Sequence, residues 1–211
     1  MLLRPSLFAV LLVAATIAPA QQAPPPPPAS TNLVAPPAPG LSPELADAAK
    51  MIRDGQYAAA QAKIDAVLAG DARNPQARFL RGIVESDQGE VDAALSTFQG
   101  LTQDYPELPE PHNNLAVIYA QQGRYEDAKT ALELALAASP DYAIAHENLG
   151  DVYTRLAGGE YDKALAVDKT NKSAQAKLAL VRELFAVPPS SAAPKLPVPV
   201  PKPAQGPKAK K

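Results

Sequence analysis

The side chains best suited to chemistry in this sequence are few, and they do not assemble into a reactive set. Only two histidines occur, His112 and His146. Glu110 or Glu147 beside them would suit zinc, but zinc wants three or four converging ligands, and each histidine has only one such neighbour. The chain contains no cysteine, which removes thiolate ligands, thiol nucleophiles and disulfide staples together. Ser139 and Ser173 lie in no strand–turn–helix context, and no GxSxG or serine–lysine pair accompanies them. Gly158 and Gly159 are an isolated pair, not a phosphate-cradling loop, and are expected to break a helix. Glu126, Asp127 and Glu133 read as carboxylates on solvated helix faces. No catalytic residue, metal or cofactor is expected, and the protein is not expected to be an enzyme.

The histidines point instead to the elements that position them, because they stand 34 residues apart. Gly55, Gly89 and Gly123 keep that spacing, followed by Tyr57, Val91 and Tyr125, then by Ala60, Ala94 and Ala128. Ahead of each glycine comes a small residue: Ala48, Gly82 or Ala116. Pro106 and Pro140 hold the same register. Self-similarity of this period marks a stacked supersecondary unit. Each unit predicts two amphipathic helices, as in Leu115, Ile118 and Tyr119, then Ala128, Leu132, Ala135 and Leu136. The glycine should end the first helix in a left-handed conformation, and the small residues should let two helices approach closely. Asn74–Pro75 predicts a helix cap followed by a first-turn proline. In this register the histidines read as rings packed between helices.

Leu115, Ala116, Tyr119, Gly123, Tyr125, Ala128, Ala135 and Pro140 closely resemble the tetratricopeptide repeat pattern. Gly82, Gly89, Ala94, Phe98 and Pro106 extend the likeness to the preceding unit, and Gly55, Tyr57, Ala60 and Leu68 to the one before it. The resemblance implies an all-α, right-handed superhelix of antiparallel helix pairs over residues 41–187. Units are expected at 41–74, 75–108 and 109–142. A degenerate unit at 143–171 matches the pattern at Leu149, Gly150 and Tyr153 and then loses it, so its second helix should be shortened. A helix over 172–186 should cap the array with Leu178, Val181, Leu184 and Phe185.

In the family, the first helices line a concave groove that holds an extended peptide or a helix. Carried over, the resemblance places Leu45, Ile52 and Arg53 there, then Phe79 and Ile83, then Asn113, Val117 and Gln121, and last Glu147, Asp151 and Arg155. Burial tendency alone leaves Phe79 and Ile83 equally assignable to groove or core. The family's carboxylate-gripping groove is not expected, because its lysines are missing from the matching positions.

The ends differ from the middle. Residues 7–18 are an apolar run behind Arg4, and Ala18-Pro19-Ala20 supplies small residues before a cut. That layout predicts a cleavable secretory signal with cleavage after Ala20, and hence a periplasmic or otherwise exported protein. No transmembrane span is expected in the mature chain. Of the 24 prolines, eight fall in residues 21–40 and eight in residues 188–211, so both stretches read as extended, disordered linkers. All 22 acidic residues lie between them, with 14 of the 20 basic ones. Such an acidic body argues against nucleic-acid binding. Lys195, Lys202, Lys208, Lys210 and Lys211 make the tail basic, able to touch an anionic envelope surface.

The runs LTQDYPELPEPHNNLAVIYAQQGRYEDA and HENLGDVYTRLA are also similar to proteobacterial envelope proteins that carry this repeat, some joined to a domain associated with L,D-transpeptidases. The expected function is a periplasmic scaffold binding a peptide or helix of an envelope protein of unknown identity. The alternatives are an accessory or regulatory factor for cell-wall (peptidoglycan) enzymes, or a structural tether acting through the basic tail.

Overall fold

The structure, a computed structural model, describes residues 40–186. The expected signal peptide, the proline-rich linker and the basic tail lie outside the described residues. Eight helices follow one another within them: α1 (Pro43–Arg53), α2 (Tyr57–Gly70), α3 (Pro75–Asp87), α4 (Val91–Asp104), α5 (Pro109–Gln121), α6 (Tyr125–Ala138), α7 (Ala143–Val167) and α8 (Lys172–Ala186). There is no strand among the described residues.

The 34-residue glycine column acts as read. Gly55, Gly89 and Gly123 adopt φ values of 73°, 78° and 74°, the left-handed region that a side chain disfavours. Behind each, the chain closes the helix with the same bond. Gln56 N–H donates to the Met51 carbonyl at 2.8 Å, Glu90 N–H to Glu85 at 2.8 Å, and Arg124 N–H to Tyr119 at 2.9 Å. This six-to-one bond, paired with the glycine's own N–H to the next carbonyl, satisfies the last orphan acceptors of α1, α3 and α5. At the opposite end, Asn74 accepts from the Ala77 N–H at 2.9 Å and Pro75 takes the first turn of α3.

Helices pack in chain order, each against the next, and α1 also touches α3 as α5 touches α7. The first helices thus form the inner layer and α2, α4 and α6 the outer one. The small-residue columns are where these layers meet. Ala48, Ala60, Ala94, Ala116 and Ala128 are all buried. At Gly82 a Cβ would stand 2.7 Å from the Phe98 ring, so the missing side chain is what lets α4 lie against α3. Phe98 in turn packs on Phe79 with ring centroids 5.7 Å apart and planes tilted by 60°, a favoured edge-on geometry.

The fourth unit departs from expectation. Gly158 and Gly159 break nothing: α7 runs unbroken for 25 residues. The glycine column would fall on residue 157, which is Ala157, and alanine resists the left-handed turn. The two glycines come after it and remain helical. Gly158 is buried, and a Cβ there would meet Val181 of α8 at 3.1 Å. Close helix contact therefore overrides the poor helix propensity of the pair. The expected short second helix does not exist as a separate element, and α8 packs on α7 in its place. Gly150, expected in a repeat-structural role, is exposed, and nothing lies within 4 Å of where its Cβ would be.

Candidate docking groove

The inner layer sorts the expected groove residues into two sets. Leu45, Ile52, Phe79 and Ile83 are core: Phe79 is fully buried and the other three nearly so. Their side chains belong to the apolar body shared by α1–α7 and have no surface left for a partner. Burial thus takes Leu45 and Ile52 out of the expected groove, and it assigns Phe79 and Ile83 to the core. Arg53, at the end of α1, is exposed.

The second half stays open. Val117 and Ala120 are half-buried, and Gln121, Glu147 and Asp151 are exposed along α5 and α7. Asn113 is buried but bonded across the layer: the Asn148 side-chain amide donates to its Oδ1 at 2.8 Å. That bond joins α5 to α7 at the floor of the face. Asn148 escaped the sequence reading, although Asn114 and Asn148 share the repeat register and signalled it. Arg155 is half-buried and stacks its guanidinium 3.6 Å from the Phe185 ring centroid, so α8 engages the cation that one turn of helix would offer to Asp151.

Electrostatics follow from that choice. Although Asp151 is exposed, partial desolvation by the protein around it raises its carboxyl above the ordinary carboxylate value; Glu147, one turn earlier, raises it further, and Arg155 opposes both. Glu147 and Asp151 form no ion pair among the described residues. Like charges at this spacing repel, so the open face presents two carboxylates and no basic group bonded to them.

Under the face lies a buried polar layer on α5, made of Glu110, His112, Asn113 and Asn114. The Asn114 amide donates to the Glu110 carbonyl at 2.9 Å. Tyr142 is held well above the usual phenol range, by burial first and by the Glu110 charge second. The two histidines do equivalent work at their equivalent positions. The ring of His112 bonds the Pro106 carbonyl, and Nε2 of His146 lies 2.9 Å from the Pro140 oxygen. The expected packing role fits buried His112, whereas His146 is exposed. No group of three or more histidines and carboxylates converges on a metal-sized site among the described residues.

Comparison with known proteins agrees with this geometry. Two family models described as tetratricopeptide repeat match the chain, over residues 52–109 and 85–149. No curated protein matches it. Among solved structures, a thermophilic TPR protein from Thermus thermophilus is similar at 22% identity and a TM-score of 0.51, covering 67% of this chain and 81% of that one. MamA is 21% identical, with a TM-score of 0.47 and coverage of 66% and 84%. A tetratricopeptide repeat protein from Parabacteroides merdae ATCC 43184 is 20% identical, with a TM-score of 0.47 and coverage of 68% and 59%. The fold likeness rests on the first of these.

Proposed function

The chain belongs to the tetratricopeptide repeat family through residues 52–149, and from that premise we propose an exported scaffold whose inner face holds a segment of another envelope protein. Repeats of this kind support protein–protein interaction. The finer reading adds a place, the periplasm, and a chemistry, an extended or helical segment carrying lysine or arginine. The observation that carries the chemistry is the pair Glu147 and Asp151, exposed on α7 beside the Asn113–Asn148 bond and without an ion pair among the described residues. Half-buried Val117 and Ala120 supply an apolar strip next to them, so a partner can bury aliphatic stems and place a cation over the carboxylates. The apolar run and small residues near Ala20 support export.

A photo-crosslinker at Gln121 should trap the partner in the envelope fraction. Reversing the charges with Glu147→Lys and Asp151→Lys should weaken its binding about tenfold or more, roughly 1.4 kcal/mol. Leu134→Ser on α6 of the outer layer should leave binding unchanged. Equal binding by a folded charge-reversed variant would end the groove reading. Recovery of the protein from the cytosol with Met1 retained would end the export reading separately.

A further inference from the structure

One side of α8 packs on the array, and another is apolar and open. Ala174 and Leu178 are buried against the array, with Val181 and Phe185 half-buried beside them. About 130° around the helix stand Ala176, Leu180 and Leu184, each four residues from the last. Leu180 is 66% exposed and Leu184 60%. Leu184 was expected to cover the open end, and instead it belongs to the uncovered side. A solenoid end normally turns a polar face to water, so two leucines in line there mark a contact surface.

The stripe is complementary to itself when reversed. Its side chains grow along the helix, from Ser173 and Ala176 to Leu180 and Leu184. A two-fold axis through Leu180 sets Leu184 of one copy level with Ala176 of the other, so each large side chain meets a small one. A parallel pairing would set leucine level with leucine and alanine with alanine, crowding one end and leaving a gap at the other. The charges agree with the reversed pairing. Lys172 and Glu183 stand within about 20° of each other around the helix, on one flank of the stripe. Neither has an ion pair among the described residues. The same axis brings Glu183 of one copy to the flank of Lys172 of the other, about 7.5 Å away along the helix and within reach of two long side chains. On the opposite flank Lys177 turns to α7, its Nζ 5.7 Å from the Tyr161 ring centroid, which draws that charge off the contact.

We propose that α8 is a self-association surface: two copies of this chain pack their α8 helices antiparallel about Leu180, with Leu184 on Ala176 and Lys172 beside Glu183. The pairing joins two arrays at the end that α8 closes. One pair of 15-residue helices buries less than the roughly 1,200 Å² at which standard interfaces begin, so the dimer is weak and forms as concentration rises.

Sedimentation of the full chain should show its mass rising from monomer toward dimer between about 10 μM and about 1 mM. Leu180→Glu, at an exposed position, should raise the dissociation constant about tenfold or more, while circular dichroism shows the helices retained. The absence of native cysteine lets disulfides report the direction of pairing. Under mild oxidation, Ala176→Cys chains mixed with Leu184→Cys chains should form mixed disulfides about tenfold faster than either variant alone. Like positions would lie about 12 Å apart along the helix, too far to bridge. A chain that stays monomeric across the range would overturn the proposal, as would a Leu180→Glu variant that associates like the wild type. So would disulfides between like positions that outrun the mixed ones.

Discussion

Single side chains in this protein are decided by what burial permits them. His112 is only 7% exposed, and burial pulls its imidazole below the usual histidine range, with the Pro106 carbonyl opposing the shift. A depressed folded value means that the folded state favours the neutral ring. The associated stability is therefore fully present above about pH 6.5, the ordinary histidine value, and is lost as pH falls through the lower folded value. Melting temperature should drop more between pH 7.5 and pH 5 in the wild type than in His112→Phe, which keeps a ring but cannot titrate. A parallel decline in both proteins would remove His112 as the cause. The Gly82–Phe98 contact makes a second prediction at this scale. Gly82→Ala would drive a methyl into the ring and should cost about 1–3 kcal/mol through overpacking. Phe98→Ala should cost about 3–5 kcal/mol through the cavity it leaves. Urea denaturation reads both.

At the scale of elements, the regular units and the irregular one obey the same physics with different inputs. Three glycines placed 34 residues apart end three helices, and the missing fourth lets α7 run on. Gly158 and Gly159 nevertheless differ in what they would tolerate. Nothing lies within 4 Å of a Cβ at Gly159, so Gly159→Ala should stabilise α7 by about 0.5–1 kcal/mol by adding helix propensity alone. A Cβ at Gly158 meets Val181, and the same change there should gain less or destabilise. Thermal melts of the two single variants decide it, and a larger gain at Gly158 would contradict the close α7–α8 crossing. The sequence carried the column that makes the turns and also its lapse at Ala157. It did not reveal that the glycine pair after the lapse would stay helical, because that depends on α8 arriving against Gly158.

For the whole molecule, the chain has a net charge of only −2, but its charges are segregated. Every acidic residue lies in residues 41–187, and five lysines lie in residues 195–211 with no acid among them. A partner held by Glu147 and Asp151 at an exposed face should bind more weakly as salt shortens the screening length, from about 10 Å at 0.1 M to about 3 Å at 1 M. Binding measured across that range should decline for the wild type. A salt-independent affinity would place the partner on apolar contacts alone and remove the two carboxylates from the account.

The period, the turn glycines, the Asn74 cap and the histidine pair were all legible in residue order, because each depends on local backbone geometry or on repetition. The all-α array and its first three helix pairs follow from those features. The groove was legible only as a list of positions on first helices. Phe79 and Ile83 could be lining or core by sequence, since an apolar residue on an inner helix satisfies both patterns. Tertiary packing assigned them, by stacking Phe98 against Phe79 and burying Ile83 in the body shared by α1–α7. It also joined Asn113 to Asn148 and drew Arg155 onto Phe185, leaving Glu147 and Asp151 open. Those outcomes depend on which helix faces meet across long sequence separations, and no local pattern encodes that meeting.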